Sequence, residues 1–144
     1  MSGPDYVIAG APRAGTTSLA RWLARQPSVH MATPKEPFFY ADTDFGQLRR
    51  RYGVADADAY DRLFESGRRA GKCCGEASTL YLADREALTK LVDAHPDVRV
   101  VILVRDPARI AVSFYQQMRL MGFEPRSFGE AWAAISRWPA DVPA

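Results

Sequence analysis

The chain has 144 residues, 47% of them apolar and 11% aromatic, which allows one globular domain with a moderate core. A net charge of +2, with no Lys/Arg tract interleaved with aromatics, argues against a nucleic-acid binder. No window approaches the ~18 apolar residues of a membrane span, and Met1-Ser2-Gly3-Pro4-Asp5 lacks the basic and apolar regions of a secretory signal.

Read from the N-terminus, Tyr6 to Ala9 is an apolar run that predicts a first buried strand. It leads into Gly10-Ala11-Pro12-Arg13-Ala14-Gly15-Thr16-Thr17, after which a helix is predicted from Thr17 to Gln26, ended by Pro27. A strand, a glycine-bounded loop and a helix in that order aim backbone N–H groups and the positive end of a helix at one point, which suits a phosphate or sulfate. The loop resembles the G-x-x-x-x-G-K-[ST] pattern and departs from it, with Thr16 where Lys is required and Arg13 as the loop's cation. This predicts an anionic nucleotide held without magnesium-assisted triphosphate chemistry.

Val29 to Met31 is a short second strand, and the prolines in Pro34-Lys35-Glu36-Pro37-Phe38-Phe39-Tyr40 demand a defined loop. Asp44 to Arg51 and Asp58 to Glu65 are predicted helices, the second with Tyr60, Leu63 and Phe64 facing the core. Arg49-Arg50-Arg51, the densest basic run, is read as a solvated helix face. Gly67 and Gly71 are expected to bracket a turn. Lys72 to Glu76 is then a short strand, at a sheet edge or partly buried, running into Ser78-Thr79-Leu80-Tyr81-Leu82.

Arg85 to Ala94 predicts an amphipathic helix with Leu88, Leu91 and Val92 on one face, stopped before Pro96. Val98 to Val104 is the clearest strand, and its β-branched character predicts a central parallel strand covered on both faces. Asp106-Pro107 starts a helix to about Leu120. Ser127 to Trp138 is a final helix. Alternation of strand and helix predicts an α/β fold, a parallel sheet flanked by helices, with ligands beyond the carboxyl ends of the strands.

Arg105 leaves the end of one such strand, and Ser113 follows eight residues later, about two helical turns on. A charge at a strand end is ordinarily solvated or paired. With an anion loop at another strand end, Arg105 instead offers a planar fork for a second phosphate, and Ser113 a neutral donor.

Together these segments resemble the sulfotransferases that use 3′-phosphoadenosine 5′-phosphosulfate (PAPS), in their bacterial and heparan-sulfate-type branches. Pro12-Arg13-Ala14-Gly15-Thr16-Thr17 is similar to the family's P-K-x-G-T-T loop, and Arg105-Asp106-Pro107 with Ser113 to its R-[ND]-P…S motif. Lys35-Glu36-Pro37-Phe38-Phe39 resembles K-E-x-x-F-F, and Gly75-Glu76-Ala77-Ser78 resembles a segment between the two cofactor motifs. The order matches from about Tyr6 to Met118.

The resemblance implies a P-loop-type α/β fold and transfer of a sulfuryl group from PAPS to a hydroxyl or amine, leaving adenosine 3′,5′-bisphosphate and using no metal. It implies that Arg13, Ala14, Gly15, Thr16, Thr17 and Ser18 bind the 5′-phosphosulfate, and that Arg105 and Ser113 grip the 3′-phosphate. It further implies Glu36 as general base; the alternative is a loop carboxylate paired with Lys35. Arg13 stands where the family commonly has Lys. A guanidinium is a poor proton donor, so Arg13 is assigned charge stabilisation at the leaving group; the alternative is plain neutralisation of bound phosphate.

Two other functional readings stand beside this one. A P-loop nucleotide kinase or NTPase with an altered loop would need a magnesium-binding Asp, for which Asp106 is the obvious candidate. Family domains are also longer than this chain, so residues 1–144 are expected to form one domain incomplete at its C-terminus, active or a truncated nucleotide-binding fragment. Sheet edge or apolar surface left open in that way would be relieved by pairing, hence an expected homo-oligomer. Adjacent Cys73 and Cys74, and isolated His30 and His95, compose no metal set; they point to a reducing, cytoplasmic setting. Arginine-rich, lysine-poor usage fits a GC-rich bacterial genome. Trp22 is read as packing its helix on the sheet, Phe38, Phe39 and Tyr81 as core or pocket wall, and the cysteines as inert packing.

Overall fold

In the computed structural model, residues 3–41, 54 and 56–135 are described. They belong to two compact units, Met1–Val104 and Arg105–Ala144. The predicted helix Asp44 to Arg51, with Arg49-Arg50-Arg51, lies outside the described residues, as does the end of the final predicted helix beyond Ile135.

The first unit carries strands β1 (Tyr6–Gly10), β2 (Val29–Met31), β3 (Cys73–Ala77) and β4 (Arg99–Ile102), with helices α1 (Thr16–Leu23), α2 (Ala57–Arg69) and α3 (Arg85–Ala94). A single 3-10 turn, Tyr81–Ala83, precedes α3. All strand pairs are parallel and the order is β2-β3-β1-β4, with Tyr6 opposite both Gly75 and Arg99. This is the α/β architecture that the alternating pattern predicts.

Alternation along β1 divides the core. Val7 and Ala9 point into a cluster with Tyr60 and Phe64 of α2, Tyr81, and Ala87 and Leu91 of α3. Ile8 points the other way, toward Ala20, Leu19 and Leu23 of α1. Helices therefore cover both faces of β1, and no residue of that strand is exposed.

The helix boundaries have local causes. Asp56, Asp84 and Asp106 accept backbone N–H bonds from Asp58 at 2.8 Å, Ala87 at 3.0 Å and Arg109 at 3.0 Å, capping three helix starts. Arg85–Ala94 matches its prediction to the residue. α1 stops at Leu23, three residues short of expectation, because the amides of Arg25 and Gln26 bond three residues back in tighter turns. α2 runs to Arg69, so Gly67 lies inside a helix rather than at a turn. A Cβ there would come within 2.4 Å of the His30 side chain and 2.7 Å of Cys74 Sγ, which is why this helix position takes glycine.

Other expectations are corrected. β3 lies between β2 and β1 with only Cys73 exposed, so of its two expected placements the buried one holds and the edge one does not. β4, expected to be central, is an edge among the described residues, with Val100 38% and Ile102 47% exposed. A β-branched run identifies a strand but does not fix its place in the order. Trp22 is 59% exposed and does not pack α1 on the sheet, and Val92 is 43% exposed while Ala87 and Leu91 fill the core face of α3.

The second unit holds α4 (Pro107–Leu120) and α5 (Phe128–Ile135). Tyr115 packs edge-on against Phe128 at 5.2 Å and donates its hydroxyl to the Arg126 carbonyl at 2.9 Å.

Candidate active site

β1 and β3 are neighbours, yet the chain leaves them toward opposite faces, into α1 and into the 3-10 turn and α3. Such a parting of connections opens a crevice at the carboxyl ends of the strands. The two exits are close there. A Cβ on Gly10 would lie 2.7 Å from Leu82 Cβ and 3.1 Å from the Thr79 carbonyl oxygen.

The loop after β1 is tied to the exit of β4, where Leu103 donates to the Gly10 carbonyl at 2.8 Å and Ala11 donates to the Leu103 carbonyl at 3.0 Å. Arg13 is left-handed at φ 63°, and Ala14 closes a turn onto the Ala11 carbonyl at 3.2 Å. Gly15 follows at φ 99° and serves as N-cap of α1 without a side-chain cap. An added Cβ at Gly15 would meet only Leu103 Cδ2, at 4.0 Å. The helix start thus faces open space with amides that have no intrahelical partner by construction. Thr16 is buried, while Arg13, Thr17 and Ser18 are exposed. An anion fits this set of donors and this charge.

Glu36 stands on the loop after β2. Its amide donates to the Ala77 carbonyl at 2.9 Å, tying it to the end of β3. Its carboxylate takes the Thr79 amide at 2.8 Å and the Thr79 hydroxyl at 3.0 Å, and pairs with the Lys35 ammonium. Glu36 is thus ion-paired to Lys35, as the second reading expects, and is also held in place by Thr79. Glu36 and Phe38 are left-handed at φ 65° and 49°. For non-glycine residues such geometry costs on the order of 1–3 kcal/mol each and persists only where surrounding contacts impose it.

The Val54 amide holds the Pro37 carbonyl at 2.7 Å, and a larger set of contacts comes from the exit of β3. The Phe38 amide donates to Ser78 Oγ at 3.0 Å and the Tyr40 amide to the Tyr81 hydroxyl oxygen at 3.2 Å. Ser78 in turn donates to Glu76 at 2.7 Å, and Tyr60 donates to Glu76 at 3.1 Å. Glu76 is fully buried. Burial pushes its carboxyl up to about 7, against the lowering effect of hydrogen bonds from Ser78, Tyr60 and Tyr81, with the Glu36 charge adding to the rise. Thr79 and Glu76 were not assigned roles by the sequence reading. The signal available was a charged residue in the middle of the otherwise uncharged Cys73-Cys74-Gly75-Glu76-Ala77.

Arg105 and Ser113 belong to the second unit and line one cavity of about 390 Å³ with Ala108, Arg109, Val112 and Gln116. Asp106, the magnesium candidate of the kinase reading, caps α4 through the Arg109 amide. Among the described residues no group of His, Cys, Asp or Glu is placed to hold a metal ion, and no helix is long and apolar enough to cross a membrane. Phe38 and Tyr81 are buried core and Phe39 stacks on Tyr60 at 4.5 Å, as expected of wall residues. His30 bonds the Leu63 carbonyl at 2.8 Å, a structural contact.

Comparison with known proteins agrees with this architecture. The sulfotransferase family pattern matches residues 4–142. A sulfotransferase from Alicyclobacillus acidocaldarius superposes with a TM-score of 0.81 at 34% identity, over 92% of this chain and 57% of that one. Mouse heparan sulfate glucosamine 3-O-sulfotransferase 3A1 is 29% identical over 145 residues, 92% of this chain and 34% of the relative. Human carbohydrate sulfotransferase 15 is 27% identical over 149 residues, 78% of this chain and 27% of the relative. The chain thus spans about a third or less of these two curated relatives. Matched along nearly its whole length and sharing the fold of a solved member, the chain belongs to the sulfotransferase family.

Proposed function

We propose that this chain binds PAPS and promotes transfer of its sulfuryl group to a hydroxyl or amine acceptor. The observation that carries the proposal is the fixed Glu36 carboxylate, held by Thr79 where the exit of β3 meets the start of the glycine loop. When bound, PAPS supplies an activated sulfuryl group and an adenosine 3′,5′-bisphosphate leaving group. Gly15, Thr16, Thr17 and Ser18, with Ala14, hold the 5′ end through the helix start, and Arg13 offsets negative charge building at the leaving oxygen. Arg105 and Ser113 take the 3′-phosphate, the guanidinium through its planar fork. Glu36 removes the acceptor proton, with the Lys35 ammonium paired beside it.

Orientation and charge stabilisation supply the rate, with no metal required. Family membership favours this reading over the kinase alternative. A cytoplasmic setting is supported by the free thiols of Cys73 and Cys74, and a bacterial source by arginine usage and the bacterial structural relative. Pairing of two copies is supported by the exposed apolar residues of β4.

The test is calorimetry of adenosine 3′,5′-bisphosphate against adenosine 5′-monophosphate. The bisphosphate should bind at least about tenfold more tightly, and Arg105→Ala should abolish that preference. Equal binding of the two nucleotides by the unaltered chain would refute the donor assignment. Glu36→Gln should keep the preference and lower transfer from PAPS by about 10²–10⁴-fold.

A further inference from the structure

The loop bearing Glu36 is left-handed at two non-glycine positions, so something outside the loop must hold it. Five hydrogen bonds join residues 36–40 to residues 77–81, the exit of β3, beside one from the Val54 amide to the Pro37 carbonyl and one between the Tyr40 hydroxyl and His95. Beneath that exit lies a carboxylate that the proposed mechanism does not use. Glu76 has no solvent exposure and gathers the hydroxyl groups of Ser78 and Tyr60.

We infer that Glu76 is a positioning residue for Glu36: its carboxylate fixes Ser78, Ser78 fixes the Phe38 amide, and the strand exit so anchored presents Thr79 to the Glu36 carboxylate. The inference rests on the reading of Glu36 as the base. The chemistry favours a carboxylate at this point. Ser78 Oγ must accept from the Phe38 amide while its own proton goes elsewhere, and a carboxylate is an acceptor with room for a second donor, here Tyr60. A buried apolar residue in place of Glu76 would take this acceptor away from the hydroxyl groups of Ser78, Tyr60 and Tyr81. The relay also explains why a strand packed between two others carries a charge: the group sits one residue before the exit it anchors.

The experiment is amide hydrogen exchange, read by NMR on the whole chain, for Glu76→Ala, Glu76→Gln, Ser78→Ala and the double alanine variant. The Thr79 amide reports directly on the Glu36 carboxylate, because that group is its acceptor. Glu76→Ala should speed exchange at Phe38 and Thr79 by at least about tenfold relative to Val7 and Ile8 in β1. Glu76→Gln, whose amide oxygen can still accept from Ser78, should return both rates to within about threefold of the unaltered chain. If the residues act in one chain, the double variant should be no looser at Phe38 than Ser78→Ala alone.

Unchanged protection in Glu76→Ala, equal loosening of β1, or additive effects in the double variant would each overturn the relay. Should Glu76→Ala not fold, Glu76→Gln and Ser78→Ala decide: loosening by the first or none by the second overturns it. Calorimetry with adenosine 3′,5′-bisphosphate on the same proteins keeps the two proposals apart. Loss of the donor reading would appear there in the unaltered chain and leave the exchange pattern intact.

Discussion

Thr79 grips the Glu36 carboxylate twice, through its amide at 2.8 Å and its hydroxyl at 3.0 Å. The side chain that orients the proposed base thus comes from a different strand exit than the base itself. Thr79→Val removes the hydroxyl bond and keeps the amide bond. It should lower stability by about 1.5–3 kcal/mol in urea denaturation, the range for a hydrogen bond to a charged group. Nucleotide binding should stay within about twofold. A denaturation midpoint identical to that of the unaltered chain would show that the hydroxyl contact carries no weight.

The buried Glu76 carboxyl gives stability a particular pH dependence. In the fold its protonation is pushed up to about 7 by burial, whereas in the unfolded chain it titrates near the ordinary 4.5. Between those values the folded state keeps a proton that the unfolded state has lost. Stability contributed by this group therefore falls as pH rises from about 4.5 to about 7, by up to about 3 kcal/mol. His95 acts in the opposite sense, since burial lowers its pKa and favours the neutral ring in the fold. Glu76→Gln removes the first effect and leaves the second. Between pH 5 and pH 7.5 the variant should gain on the order of 2 kcal/mol relative to the unaltered chain; parallel pH–stability curves would contradict this.

Gly15 adopts φ 99° at the start of α1, a backbone state that an L side chain takes at a cost of about 1–2 kcal/mol. Space is not the obstacle, since the nearest atom to an added Cβ is 4.0 Å away. Gly15→Ala should lower stability by that amount and weaken adenosine 3′,5′-bisphosphate binding, because the methyl group would stand in the open space beside the helix start. Full affinity with full stability would rule out the loop as an anion cradle.

The two cysteines, adjacent in sequence, should differ in reactivity. Cys73 is exposed, while Cys74 is fully buried, contacts the Phe64 and Lys72 carbonyls through its sulfur, and has its thiol pKa raised by burial. A maleimide or iodoacetamide pulse on the native protein, followed by peptide mapping, should label Cys73 and spare Cys74. Both should react in urea. Equal labelling under native conditions would mean that β3 is not packed as described.

Much of this architecture was legible in the residues. The run into Gly10 and Gly15 announced a strand, a glycine loop and a helix, and the Asp84 and Asp106-Pro107 starts fixed two helices closely, because caps and prolines act locally. Sheet order was not legible. β1 and β4 are both apolar strands, and only tertiary neighbours make the first central and the second an edge among the described residues. At the site, Glu36 was identifiable from its motif, but its fixation by Thr79 depends on strand exits far apart in sequence. The same holds for Glu76: a glutamate in an apolar strand signals conflict, and its resolution lies with Tyr60 and Ser78, which only folding brings to it.

The left-handed backbone at Glu36 and Phe38 has a consequence for engineering. A synthetic heptapeptide spanning Pro34 to Tyr40 should relax to extended or turn conformers in water and show no memory of the crevice. Grafting that stretch onto another scaffold without the 76–81 segment would transfer the letters of the motif and none of its geometry. The smallest transplantable module is therefore the pair of segments taken together.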